Sequence, residues 1–498
     1  MKQIALQLKS FPYYVFGIIV FFLSHGYSEN YGLIPLDDIF IFFISGSAAA
    51  ILILYFFGRK MKSVAKGGLL TGLTLSFYLF YGAFRHMFIK SVFLFQLSHY
   101  RFLFSGMLII LVICYFFIKK SSGNFNEITA YANILVAILI VVDILSIVEQ
   151  SLQHEDKDVV EKRALLSHLK KCDSCTKPDI YFIVMDEYWG NSSLKKYFNY
   201  DNHAFTSFLK NEGFFTIAEP VSNYSWTPIS MASMLDMKYL EWAGTDTSLL
   251  QANDYGKAAK EISNNLVMSY LRSIGYQLKN CSIFDILGEK SKFDYILLPT
   301  KMRLITSKTL LNCVQKDLYW LVRSKFAQQV KQMTNDSTDF DSQGNNLLIR
   351  DTENNIAVKQ SPKFVYTHLL MPHLPYLYDS LGNQNKLTFF KSFPKVKIDD
   401  LYLQYLVYCN SVVTKLIGKI KETSHGTAVI ILMSDHGNRN FQLENKSVSA
   451  SNNFNSIYLP RKNYNFFYDS ISNVNEFRVL FNTLFNQHLP VLKDSVVF

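Results

Sequence analysis

Basic residues never gather in this chain. The 498-residue sequence has a formal charge of +10, from 50 Lys and Arg against 40 Asp and Glu, yet no run of five or more basic residues. Much of the excess flanks apolar runs, so the charge does not argue for nucleic acid. Cysteine is also scarce, at six residues. Cys172 and Cys175 form a C-x-x-C motif, but no second pair is spaced to complete a zinc knuckle. No thioredoxin-like βαβ pattern surrounds it either. A local disulfide is the first reading, permitted on the outer side of a membrane. Cys114 lies in an apolar run, and Cys281, Cys313 and Cys409 have no readable partners. Internal repeats are absent. No small-residue cleavage site follows the first apolar stretch, and four further stretches come after it, which argues against a signal peptide.

The first third of the chain is very apolar and the rest is mixed. A chain of this length fits a membrane region plus one large second domain. Five stretches approach the ~20 residues that a bilayer-spanning helix needs: 11–27, 39–57, 67–84, 102–118 and 128–148. Lys2 and Lys9 precede the first. Arg59, Lys60, Lys62 and Lys66 lie between the second and third, and Lys119 and Lys120 between the fourth and fifth. The positive-inside rule then puts the N-terminus in the cytoplasm and everything after Val148 outside. Arg85, Lys90 and Arg101 run weakly against it, in a segment whose aromatic residues suggest the outer interface. Asp143, near the outer end of the last span, is an interfacial acid or an intramembrane functional candidate. The expected division is a transmembrane domain over 1–148, a charged helical linker over 149–177 and an extracytoplasmic domain over 178–498.

In that outer domain short apolar strands alternate with helical stretches. Strands are expected at 180–185, 364–370, 427–433 and, more weakly, 455–459. Helices are expected at 203–211, 227–239, 255–274 and 401–421. The alternation implies an α/β fold with a mostly parallel sheet. Residues 331–361, rich in Asn, Asp, Ser and Gln, read as an exposed excursion. Ligands of such sheets sit beyond the carboxyl ends of the strands. Asp186, His373 and the pair Asp435-His436 all follow apolar strands in that sense.

Asp435 and His436, within Ser434-Asp435-His436-Gly437, suit one divalent cation held between a carboxylate and an imidazole. Gly437 is expected to permit the tight turn that lets both face one point. Asp186 is either a second ligand or an N-cap acid; Glu187 beside it is an alternative ligand. Pro228 suits a first helical position, which would make Thr227 an N-cap at an anion-binding helix start. A cation on the Thr227 hydroxyl would activate it as a nucleophile, against the plain alternative of an ordinary capping Thr; Ser225 is the next candidate. His373, between Pro372 and Pro375, is a phosphoryl contact or a proton donor to a leaving alkoxide. His368 is a substrate-contact candidate on which a structural role weighs more.

These segments resemble a known family. The stretch Pro178–Asp186, the stretch Asn223–Leu235 with Thr227 and Ser230, the run Met371-Pro372-His373-Leu374-Pro375, and Ser434-Asp435-His436-Gly437 are similar in type and order to the alkaline phosphatase/sulfatase superfamily. The branch most resembled is the membrane one of lipoteichoic acid synthases and lipid A phosphoethanolamine transferases. The resemblance covers residue 178 to about 460, and five preceding spans suit that branch. It implies an alkaline-phosphatase-like α/β/α sandwich. It implies Asp186, Thr227, Asp435 and His436 as ligands of one divalent metal, Zn or Mn, with Thr227 as the nucleophile of a phospho-enzyme and His373 contacting substrate. Two departures stand out. That branch usually has Glu where this chain has Asp186. The sulfatase C-x-P-S-R motif is absent, which argues against formylglycine chemistry. No D-x-x-x-H pair occurs to complete a second metal site.

The expected function is a metal-dependent transferase in a bacterial inner or plasma membrane. It would move phosphoethanolamine or phosphoglycerol from a phospholipid donor to an envelope glycan or glycolipid acceptor. Two alternatives are a phosphate or sulfate ester hydrolase, in which water replaces the acceptor, and a non-catalytic membrane scaffold.

Overall fold

The computed structural model describes residues 11–90, 95–123, 125–153, 157–243, 252–293, 301–315, 340–385, 395–439 and 451–497. The chain divides into two compact units: Met1–Lys157 with Leu297–Val322, and Asp158–Ile296 with Arg323–Phe498.

The first unit is helical: α1 (Tyr14–Glu29), α2 (Leu36–Met61), α3 (Val64–Leu79), α4 (Tyr81–Lys90), α5 (Tyr100–Lys120) and α6 (Asn126–Gln153). Four of the expected spans each fall on one of these helices, and the third, 67–84, is divided between α3 and α4. Three of them, α2, α5 and α6, are long and apolar enough to cross a membrane, or four if the bent pair α3–α4 counts as one span. The first expected span forms α1, only 16 residues long. Phe40, Ile44 and Leu52 on α2, Ile109 and Ile113 on α5, and Ile138 and Val142 on α6 are exposed. Faces of that kind suit hydrocarbon rather than water. Asp37 and Asp38 in the first turn of α2, and Arg59 and Lys60 in its last, complement the helix dipole. Asp143 is buried on α6. It accepts from Ser24 Oγ of α1 at 2.9 Å and lies 3.1 Å from His25 Nδ1. Ser28 and Ser146 extend this polar seam at 3.0 Å, the kind of interhelical bonding that holds membrane helices together. Leu304 and Ile305, from much later in the chain, pack into the same core as Ile18, Phe22 and Leu23.

The second unit is built on a six-stranded sheet. Its strands are β1 (Ile180–Met185), β2 (Phe215–Thr216), β3 (Gln277–Cys281), β4 (Lys363–Leu369), β5 (Val429–Met433) and β6 (Asn455–Tyr458). The order is β2-β6-β5-β1-β4-β3. β5, β1, β4 and β3 run parallel, and β6 and β2 are antiparallel. Every residue of β1, β4 and β5 is buried, which is why β1 and β5 read as unbroken apolar runs, whereas β4 also buries Lys363, Thr367 and His368. β3, with the polar sequence Gln-Leu-Lys-Asn-Cys at a sheet edge, and the two-residue β2 carry no such signal.

Around the sheet lie α7 (Thr227–Asp236), α8 (Ala252–Ser263), α9 (Leu266–Ser273), α10 (Phe340–Ala357), α11 (Lys395–Thr423) and α12 (Asn473–Phe485). The single helix expected over 255–274 is two. Asn265 interrupts it by accepting from Met268 N at 2.8 Å and so capping α9. The excursion expected over 331–361 is largely α10, an 18-residue helix. Its Leu348, Thr352 and Ile356 are buried, and Thr352 bonds Thr367 of β4 at 2.8 Å. Composition misled there because several of its polar residues, Asn345, Asp351 and Thr352, are buried and bonded to neighbouring strands and loops rather than solvated; residues 331–339 are outside the described residues. The stretch 149–177 supplies the end of α6, the helix Lys157–His168 and a disulfide between Cys172 and Cys175.

Glu476, in the first turn of α12, is wholly buried and accepts from Asn455 Nδ2 at 2.7 Å. Burial raises its carboxyl to about 7 from an ordinary 4.5, against that hydrogen bond. The folded chain therefore holds the proton more tightly than the unfolded one, and stability falls as pH rises from 4.5 through about 7. Glu476→Gln is expected to abolish this dependence. Thermal midpoints of the detergent-solubilised protein should favour the variant at pH 8 by an equivalent of ~2–3 kcal/mol and converge with wild type toward pH 5.

Candidate metal and phosphoryl site

Parallel pairing aligns the carboxyl ends of three strands. Val184 of β1 is level with His368 on β4 and with Met433 on β5. Asp186 and Asp435 each lie two residues beyond their register partner, so both emerge at the same height on adjacent strands. Asp186 N continues the ladder by donating to Leu369 O at 3.0 Å.

The two carboxylates and His436 form one buried cluster, with a ligand atom from each lying within 4.8 Å of the others. His436 Nε2 is 3.2 Å from Asp435 Oδ2. Thr227 joins them: its Oγ1 is 3.1 Å from His436 Nε2 and 3.4 Å from Asp186 Oδ1. The helix carrying it starts at Thr227, the first residue of the expected stretch, but with Trp226 rather than Thr227 in the cap position and Pro228 in the first turn. Thr227 is therefore not a cap. Its hydroxyl is turned into the carboxylate cluster instead.

The turn after β5 is held from behind. Ser230 Oγ and Asn473 Nδ2 donate to the Asp435 carbonyl at 2.6 and 2.8 Å. Ser222 Oγ lies 2.7 Å from the same oxygen and shares its proton with Tyr224 O. Ser230 stands one turn after Thr227, so the hydroxyl helix and the Asp435-His436 pair are bonded to each other. Gly437 is not among the described residues with positive φ; the left-handed position here is Glu187, at φ +61°. That conformation costs a non-glycine residue about 1–3 kcal/mol and clusters at functional sites. It turns the Glu187 N–H onto Asp435 Oδ1 at 3.2 Å, while the Glu187 carboxylate faces away to Arg439 Nε at 2.8 Å. Glu187 is accordingly outside the candidate ligand cluster.

The donors fit a divalent cation. His436 Nδ1 faces the Gly437 carbonyl at 2.7 Å; a carbonyl only accepts, so Nδ1 carries the proton and Nε2 presents a lone pair to the cluster. Burial, and then the Arg439 charge, push this imidazole down to about 4, which keeps it neutral. Asp435 Oδ2 and His368 Nε2 are buried without a hydrogen-bond partner. Burial and then the Asp186 charge raise the Asp435 carboxyl, while His373 and His368 outweigh burial and hold Asp186 low. Two carboxyl groups this close do not both ionise readily unless a cation lies between them.

His368 is fully buried within β4, with Nδ1 2.9 Å from Tyr366 Oη and Nε2 3.9 Å from Asp186 Oδ2. His373 is part-buried. Its Nδ1 donates to Leu374 O at 2.5 Å, and its Nε2 lies 3.9 Å from Glu187 Oε1 and 3.4 Å from an Arg439 Nη. Arg439, Trp226 and Asn473 were not singled out by sequence reasoning, and Ser230 entered it only as part of a motif, with no role. Only Arg439 left a signal, as a cation three residues beyond a candidate ligand that would need an acid such as Glu187 if buried.

No protein-family profile matches the chain, and no curated protein does. Solved structures give weak likenesses. The integral membrane lipooligosaccharide phosphoethanolamine transferase A from Neisseria meningitidis aligns over 95% of this chain and 96% of its own, at 9% identity and TM-score 0.42. The zinc complex of the C-terminal periplasmic domain of EptC from Escherichia coli aligns over 63% and 84%, at 13% identity and TM-score 0.38. A phosphonate monoester hydrolase of Agrobacterium radiobacter aligns over 62% and 73%, at 11% identity and TM-score 0.37. At such values the chemistry of this chain has to come from its own residues.

Asp435→Ala and His436→Ala are expected to strip bound Zn or Mn from the purified full-length protein, as read by elemental mass spectrometry. Ser230→Ala should keep the metal but lose it more readily to a chelator, by roughly 3- to 10-fold, as removal of one hydrogen bond worth ~1 kcal/mol implies.

Proposed function

We propose that this chain is a membrane-anchored, metal-dependent phosphotransferase in which Asp186, Thr227, Asp435 and His436 hold one divalent cation, Zn or Mn. The observation that carries the reading is the Thr227 hydroxyl, buried at a helix start and within 3.4 Å of both a carboxylate and an unprotonated imidazole nitrogen. When bound, the cation supplies positive charge that lowers the pKa of this hydroxyl and offsets charge on a phosphoryl group. The first N–H groups of α7 have no acceptor within their own helix and form the positive end of its dipole, an anion site beside the nucleophile.

In the reaction proposed, Thr227 Oγ1 attacks the phosphorus of a phospholipid headgroup. A bond forms between Oγ1 and phosphorus, and the bond from phosphorus to the diacylglycerol oxygen breaks. The hydroxyl proton is directed at Asp186 Oδ1, since the lone pair of His436 Nε2 would be taken by the cation. His373 is assigned to protonate the leaving oxygen. Burial lowers its pKa, but the Glu187 and Asp186 charges outweigh this and raise it. A hydroxyl of an envelope glycan or glycolipid then attacks the phosphorus of phosphothreonine, giving its proton to the now neutral His373, and the bond from phosphorus to Thr227 Oγ1 breaks as Asp186 returns the proton to Oγ1. The apolar helices suit a donor that stays in the bilayer, since tethering raises its effective concentration at the site. We place the second unit on the extracytoplasmic side of a bacterial inner or plasma membrane, following the distribution of Lys and Arg between the apolar stretches.

Incubating the full-length protein with phospholipid vesicles and mapping it by mass spectrometry tests the reading. A phospho-linked adduct is expected on Thr227, its mass naming the headgroup, and none on Thr227→Ala. Recovery of headgroup on an added glycan marks a transferase, whereas release to water at the same rate without acceptor marks a hydrolase. An unmodified Thr227 together with full complementation by Thr227→Ala in a deletion strain would favour the scaffold role.

A further inference from the structure

Asp186, Asp435 and Glu187 bring three carboxylates, each at most 3% exposed, to one place. A divalent cation would offset two of them. The third, Glu187, needs a fixed cation of its own. Arg439 is that cation, and three contacts define its orientation. Nε donates to Glu187 Oε1 at 2.8 Å. The guanidinium carbon lies 4.3 Å from the centroid of the Trp226 ring. One Nη lies 3.4 Å from His373 Nε2. Trp226 is itself braced edge-to-face by Tyr255 of α8, with ring centroids 6.0 Å apart.

The position matters as much as the charge. Trp226 immediately precedes Thr227, so the stacked guanidinium lies beside the start of α7. His373 borders it on another side. The contacts to Glu187 and His373 leave further N–H donors of the planar fork for an acceptor, and a fork of this kind matches the paired oxygens of a phosphoryl group. Residue 187, whose carboxylate meets Arg439, is the one that adopts the left-handed conformation. The backbone strain at that residue thus has a counterpart in the placement of the guanidinium.

We propose that Arg439 binds a non-bridging oxygen of the phosphoryl group undergoing transfer, with Glu187 and Trp226 as its positioning residues. This rests on the metal-dependent reading above and names the group that recognises the tetrahedral anion. Lysine is not an equivalent, because an ammonium neither stacks flat on Trp226 nor forms a planar fork.

The test uses inorganic phosphate and the full-length protein loaded with Zn or Mn, its metal content verified by elemental mass spectrometry and phosphate binding read by calorimetry. Wild type is expected to bind phosphate. Arg439→Ala should bind it roughly 10- to 100-fold more weakly, as loss of a charge-assisted hydrogen bond implies, with metal content unchanged. Arg439→Lys, which keeps the charge and guards against misfolding of the alanine variant, should fall between the two. Trp226→Leu should weaken phosphate binding without changing metal content, which a purely structural role for the stack would not produce. Equal phosphate affinity in wild type and in folded Arg439 variants overturns the assignment and leaves the metal reading intact. A wild type that takes up metal but binds no phosphate and forms no Thr227 adduct overturns both.

Discussion

The repulsion between two buried carboxylates, Asp186 and Asp435, is the constraint that organises the second unit. Parallel register forces them to the same height on neighbouring strands, out of water, where neither is cheaply ionised. Neutral His436 and the Thr227 hydroxyl complete a donor set that a cation would satisfy. The bonds behind the Asp435 carbonyl, from Ser230 and Asn473, stop the turn from relaxing away. Nothing about this arrangement is an optimum for a metal-free core. It resembles a site whose stability is sacrificed locally and recovered through the surrounding sheet.

Order around the cluster comes from elements that are themselves fully packed. β1, β4 and β5 are buried on both faces, and Phe182 stacks on Tyr366 while meeting Phe477 of α12 edge-on, with centroids 5.3 and 5.1 Å apart. Every residue of α7 is buried. A hydroxyl on such a helix has little freedom to leave the carboxylates, which is the preorganisation that transfer chemistry requires. The first unit solves a different problem by similar means. Asp143, His25 and Ser24 satisfy one another between apolar helices, so an acid that would be costly among lipid chains acquires partners.

Much of this was legible along the chain. The apolar runs at 180–185 and 429–433 announced buried strands because a parallel sheet leaves no polar face to interrupt them. Asp186, Thr227, Asp435 and His436 stood out because each follows a strand or opens a helix. β3 was not legible, since an edge strand of polar residues has no period to read, and the two-residue β2 is too short to show one. α10 was mistaken for an excursion because polar residues such as Asn345, Asp351 and Thr352 are buried in it. Arg439 and Trp226 lay outside the reading because their partners, Glu187 and each other, are more than 200 positions away in sequence or on a different turn.

The amino-acid order by itself determined which segments are apolar enough for a bilayer or a buried strand, and which chemical groups are on hand at strand ends and helix starts. Those properties are local, set by a few consecutive residues. Tertiary structure alone decided that Thr227 turns from capping to face His436, that residue 187 rather than Gly437 takes the left-handed position, and that Glu187 goes to Arg439 rather than to the cluster of Asp186, Asp435 and His436. Those choices depend on strand register and on packing between segments far apart in the chain, where hydrogen-bond geometry and the repulsion of like charges are settled only once the sheet has closed.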